Sequence, residues 1–175
     1  MIRFTSAVLC YNVTLLFLMR WVMHECHEHA LCVEDAVQAA NRICEERGLR
    51  FTDLRRRVLE LVWENHGSAK AYDLLEKLGS DYSAKPPTVY RALDFLQENG
   101  LVHKINSLNA YVGCSHPLKH QDCFFLICSV CNEVQECCTG KIVDVVRDMA
   151  KKSHFSPHHT TLEIEGECEK CEARS

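Results

Sequence analysis

The sequence is short of several things, and each shortage narrows its reading. Only 4 Pro and 7 Gly occur in 175 residues, which excludes a collagen-like or low-complexity chain. With 47% hydrophobic and 25% charged residues the composition is that of a globular protein and not of a disordered one. Basic charge is not in excess either, since Lys and Arg number 20 against 24 Asp and Glu, for a net charge of -4. The balance holds along the chain: 2 basic and 2 acidic residues in 1–32, 11 and 12 in 33–104, 7 and 10 in 105–175. A nucleic-acid partner would therefore have to be met by a local patch. There is no HExxH, no Ser or Cys nucleophile motif and no Gly-rich phosphate loop, which counts against the common hydrolases and phosphate-binding enzymes.

A membrane span is also missing. The longest apolar stretch, AVLCYNVTLLFLM at 7–19 between Arg3 and Arg20, is too short to cross a bilayer as a helix, and no small-residue cleavage site follows it. Met19 and Met23 both suit a start. We read 1–32 as an N-terminal extension, with 1–22 outside the mature fold, and expect a cytoplasmic protein without a membrane partner. His24, Cys26, His27, His29 and Cys32 crowd this extension. They either chelate a metal or are incidental ligands on a polar terminus.

What the chain does have is 12 Cys and 10 His. That Cys share stays below the roughly 8–10% of short secreted disulfide scaffolds, and the His content points to metal ligands, which the reducing cytosol permits. At this length one domain, or two small ones that each need help to stay folded, is expected.

From Val33 the pattern is helical, with Val33, Val37, Ala40 and Cys44 on one face and Gly48 as a stop. Thr52 caps a second helix burying Leu54, Val58, Leu61 and Val62 up to about Gly67. Ser68 suits the cap of a third, with Ala71, Leu74, Leu75 and Leu78 inside and Gly79 closing it. Pro86 and Pro87 suit the first turn of a fourth helix that runs to Gly100, with Val89, Leu93 and Leu96 inward and Thr88, Arg91 and Asp94 outward. LVHKINS and AYVGC around Leu108 and Asn109 then read as a hairpin. Helices followed by a hairpin wing describe a winged helix-turn-helix over 33–114, a reader of double-stranded DNA. Arg91 could donate to guanine edges, and Tyr72 or Tyr90 could touch thymine methyls and phosphates. Arg55, Arg56, Arg57, Lys70 and Lys85 could contact the phosphate backbone. Each has a plainer alternative, a solvated arginine face or a half-buried packing tyrosine.

Residues 115–175 form the second unit. Cys128-Ser-Val-Cys131 and Cys168-Glu-Lys-Cys171 are the sharpest motif: each pair sets two sulfurs beside one turn, and two pairs complete the tetrahedral thiolate cage of a closed zinc site. A lone CxxC would leave a redox dithiol open; two argue for metal. Between them lies a helix with Ile142, Val145, Val146 and Met149 on one face, flanked by FFLIC and TTLEIEG strands, so the unit is small α/β and the chain α+β. A looser set, His103, Cys114, His116, His120 and Glu136 with Cys137 and Cys138 adjacent, falls where the units meet. Mixed N, S and O donors there would couple metal occupancy to the units' relative orientation.

AKPPTVYRALDFLQENGLVHKINSLNAYVGC followed by both Cys pairs resembles the ferric uptake regulator family, and within it the zinc-sensing members, over roughly 33–171. The resemblance implies a homodimeric repressor that binds a palindromic, AT-rich operator when zinc is plentiful and shuts off zinc uptake genes. It implies zinc as cofactor, two per protomer, with neither enzymatic activity nor a small-molecule substrate. By motif it assigns Cys128, Cys131, Cys168 and Cys171 to the structural zinc. His103, Cys114, His120 and Glu136 are assigned to the regulatory zinc, with His116 as alternative to His120, and Tyr72 and Arg91 to base contacts, beside Thr88 and Tyr90 on the same face. The soft Cys114 thiolate, and the lack of the His-rich run that precedes the first CxxC in iron-sensing members, favour zinc over Fe(II) or Mn(II). Sister regulators of iron, manganese, nickel or peroxide are the alternative, and a Cys/His zinc hydrolase or thiol oxidoreductase the remoter one. Cys26, Cys32, Cys123, Cys137 and Cys138 stay without a role.

Overall fold

A computed structural model describes residues 29–173 apart from 66, 80, 81, 83, 84, 118–122 and 159. Helix α1 spans His29–Glu46, four residues ahead of the expected boundary, because no breaker separates His29 from Val33. Its inner face is Ala36, Val37, Ala39, Ala40, Ile43 and Cys44, while Val33 is half-buried. Gly48 ends the turn at a φ of 64°, where a side chain would be strained. Helix α2 (Asp53–Glu64) starts as expected from Thr52, whose hydroxyl accepts from the Arg55 N–H, but stops at Glu64.

Helix α3 (Ala71–Leu78) corrects the expected cap. Lys70, not Ser68, sits at the N-cap, because Ala69 exchanges backbone hydrogen bonds with Tyr111 (2.7 and 2.8 Å) and starts the helix two residues later. Helix α4 (Pro86–Glu98) begins on its two prolines and buries Val89, Ala92, Leu93 and Leu96. These stripes meet in one core with Val58, Leu61, Val62, Leu74 and Tyr111. Truncating the fully buried Leu93 to Ala would cost about 2–5 kcal/mol.

The wing is β1 (Val102–Ile105) against β2 (Ala110–Gly113), antiparallel with His103 opposite Val112. Gly113 leaves room for the Trp63 indole, which occupies the place where a Cβ would stand. Strand β3 (Cys123–Cys128) is the centre of a second sheet, antiparallel to β4 (Val134–Cys138) and parallel to β5 (Glu163–Gly166). Between β4 and β5 runs α5 (Gly140–Lys152), and α6 (Glu169–Glu172) closes the described chain. Of the apolar face foreseen on α5, Ile142 is half-buried while Val145 and Met149 are exposed, and Val143 is the residue buried inward.

The two units share a layer. Ile105 and Val112 of the wing pack on Phe125 and Ile127 of β3, with Leu108 and Val134 alongside. At the wing's turn the Glu163 carboxylate accepts from the backbone N–H groups of Asn106 (2.7 Å) and Ser107 (3.0 Å). Those two donors hold Glu163 below the usual carboxylate range against the opposing effect of burial.

Candidate metal centres and nucleic-acid face

The paired cysteines converge as their spacing requires. Strand β3 delivers Cys128, the turn after it Cys131, and α6 carries Cys168 at its N-cap and Cys171 inside it. The parallel register sets Cys128 beside Gly166, and Ser129 N–H donates to the Gly166 carbonyl at 2.8 Å, which holds the two CxxC turns face to face. All four sulfurs lie within 4.8 Å of one another, and Cys131 and Cys168 are 3.8 Å apart. Four thiolates at about 2.3 Å from one ion stand about 3.8 Å apart, the spacing of the Cys131–Cys168 pair, so the four sulfurs suit a tetrahedral zinc. Backbone N–H groups of Cys131 and Cys168 pull the Cys128 thiol down to about 6, supplying one thiolate at neutral pH. Its neighbour Cys171 is pushed up to about 12, first by its hydrogen bond with Cys168 and then by burial. Protons still held in the cage must leave on metal binding.

The second cluster sits where wing meets sheet. His103 on β1, Cys114 just past β2 and Glu136 on β4 place their ligand atoms within 4.8 Å of one another. Glu136 Oε1 lies 2.9 Å from His103 Nε2 and accepts from Cys114 Sγ at 3.7 Å, while Oε2 accepts from Ser115 N–H at 2.8 Å. Although burial pushes Glu136 up, His103 and the Ser115 N–H together bring it below its ordinary value. Burial, reinforced by the Glu136 charge, drives Cys114 the other way, to about 12. His116, Glu136 and Cys138 make an overlapping trio. His120 lies outside the described residues, so three of the four expected sensory ligands are seen together, with His116 beside them. The donors are one imidazole, one thiol and one carboxylate, a mixed set that suits zinc.

The disulfide between Cys123 and Cys138 was missed from sequence. Their direct pairing across β3 and β4 brings them together, a register that no local pattern signals. Cys137 points to the opposite face and is buried, and its thiol is pushed up by burial and by Glu136.

On the helical face Tyr72 and Tyr90 are exposed, as are Thr88, Arg91, Lys70 and Lys85. Arg55 and Arg57 are differently employed. Arg55 lies over the Phe95 ring and donates to the Arg50 carbonyl, and Arg57 donates to Glu60 and Glu64 at 3.0 and 2.8 Å. Arg56 is likewise engaged, with Asn41 and the Phe51 ring. Among the described residues no helix is long and apolar enough to cross a membrane.

A winged helix, joined through its wing to a small α/β unit that carries a four-cysteine cage, defines a two-part DNA-reading architecture. The chain belongs to the ferric uptake regulator family, whose model matches residues 46–165. It is 41% identical over 142 residues to the zinc uptake regulation protein of Escherichia coli strain K12, covering 79% of this chain and 82% of that protein. Among solved structures it is similar to a zinc uptake regulator complexed with zinc and DNA (TM-score 0.77, 38% identity, 81% of this chain and 96% of that one). It is also similar to holo XcZur (TM-score 0.73, 44% identity, 78% and 96%).

Proposed function

We propose that this chain is a zinc-responsive transcriptional repressor that binds operator DNA as a homodimer and governs zinc uptake genes. The observation that carries the reading is the convergence of His103, Cys114 and Glu136 where the wing meets β4. When these groups are drawn onto one ion, the wing is locked to the second sheet, which fixes where α4 stands. Without the ion the relation rests on the His103–Glu136 contact, the Glu163 grip on the wing turn and the packing of Ile105 and Val112 on β3, and fewer molecules occupy the DNA-competent arrangement. A bound zinc would displace the Cys114 proton, neutralise the resulting thiolate and the Glu136 carboxylate, and tie three elements of the chain together.

Exposed Tyr72, Thr88, Tyr90 and Arg91 form the base-reading face, with Lys70 and Lys85 toward the phosphates. The exposed Val145 and Met149 on α5 supply an apolar stripe that a second copy would cover, and a two-fold dimer matches a palindromic site. The four-cysteine cage is the structural site, giving two zinc ions per protomer. The relatives' names, which specify zinc uptake regulation, support zinc as the metal.

The test is operator binding by the purified chain across a zinc titration, with zinc counted per protomer before and after mild chelation. Two sites of unequal affinity, the weaker one tracking DNA binding, are expected. A single tightly held zinc with DNA binding unaffected would reduce the second cluster to packing. Restoration of binding by Fe(II) or Mn(II) but not by zinc would move the chain to a sister regulator.

A further inference from the structure

We infer that Cys138 is a second thiolate ligand of the junction site, available only when its disulfide to Cys123 is open. The inference rests on the zinc reading above and adds a redox control to it. Glu136 Oε1 is the common point: besides His103 and Cys114 it accepts from Cys138 Sγ at 3.5 Å. Cys138 and Glu136 are two residues apart on β4, so the strand's alternation sends both to one face, toward His116, whose ligand atom completes a trio within 4.8 Å. Glu136 is thus the shared member of two trios, one with the Cys114 sulfur of the wing and one with the Cys138 sulfur of the sheet, each within reach of Oε1.

Only the thiolate is a strong ligand, and a sulfur held in a disulfide is not one. Cys123 and Cys138 are direct cross-strand partners, so opening their bond asks nothing of the backbone and leaves Cys138 beside Glu136. Access is from Cys123, which borders an open cleft of about 570 Å³ together with His103 and Phe125. A small dithiol is the reductant. One of its thiolates attacks Cys123 Sγ, the S–S bond breaks and its electron pair leaves on Cys138 Sγ. The second thiol then displaces Cys123, which takes up a proton, and the reductant departs as a cyclic disulfide. Hydrogen peroxide reverses the change, removing two electrons and two protons from the cysteines and ending as two waters. Reduction thus adds a soft donor to the sensory set, and oxidation withdraws it.

The experiment uses the full chain with its four-cysteine cage filled with zinc, and cobalt(II) as probe at the junction. Reduced wild type should show thiolate-to-cobalt charge-transfer absorption for two sulfurs. Cys138→Ser should show it for one, with zinc affinity in chelator competition lower by about tenfold or more. Wild type oxidised by peroxide, its disulfide verified by thiol counting, should match Cys138→Ser. Cys123→Ser, purified without reductant, should match reduced wild type. Equal absorption and equal zinc affinity in reduced wild type and Cys138→Ser would overturn the inference while leaving the zinc site in place. Failure of every form to bind zinc or cobalt at the junction would overturn the underlying reading as well.

Discussion

Glu136 Oε1 stands 2.9 Å from His103 Nε2 and so joins the wing hairpin of the DNA-reading unit to the sheet of the second unit. In the proposed function the same carboxylate is a donor to the junction zinc, and in the metal-free chain it is a tether. Glu136→Gln keeps the size and removes the charge. It should weaken zinc at the junction by about 10–100-fold, measured by chelator competition, while the zinc of the four-cysteine cage stays bound.

Cys114 and Cys128 should separate cleanly. Cys128→Ser breaks the cage, so one zinc per protomer and cooperative unfolding should both be lost, as followed by metal analysis and thermal denaturation. Cys114→Ser should retain cooperative unfolding and the caged zinc, yet no longer raise DNA affinity across a zinc titration. An unchanged zinc response would remove Cys114 from the sensor.

The pH dependence follows from Cys114, whose thiol sits at about 12 without metal. Across neutral pH it carries a proton that zinc must displace, so junction-site affinity should rise with pH by about tenfold per unit for that one proton. Calorimetry in buffers of different ionisation enthalpy should count it. The depressed Glu136 acts at the acid end. Its stabilising contribution is complete above the usual carboxylate range and disappears as pH falls through its lowered value, so the metal-free tether should loosen in acid.

For DNA, Arg91→Ala should cost about 1–3 kcal/mol and relax preference at one base pair, read from binding to a panel of operator variants. Arg57→Ala should leave DNA affinity nearly unchanged, since Glu60 and Glu64 already occupy its guanidinium, and should lower stability by at most about 1 kcal/mol.

Charge on the exposed face of α5 should test self-association. Met149→Asp, at a position 63% exposed in the single chain, should leave folding intact and shift the protein to monomer in sedimentation.

Local chemistry was legible in the sequence. The Thr52 hydroxyl, the Pro86–Pro87 start of α4, the hairpin around Asn109 and the two CxxC turns each act within a few residues, and each stands where the pattern put it. Failures arose where a distant partner decided. Ser68 lost its cap because Tyr111 captures Ala69, and the Cys123–Cys138 bond depends on a register between residues 15 positions apart. The Glu163 grip on the wing turn joins residues 56 and 57 positions apart and leaves no local trace.

Strand β3 also acts as a spacer. Glu136 faces Phe125 across the ladder, and Cys128 is three residues farther along, so the two metal clusters stand about 10 Å apart on one rigid element. That gap exceeds the reach of a shared ligand. With zinc in both clusters as proposed, an ion in one lies out of reach of the other's donors, so the junction would draw on zinc dissolved in its surroundings, and the ion of the four-cysteine cage would not mask a shortage there.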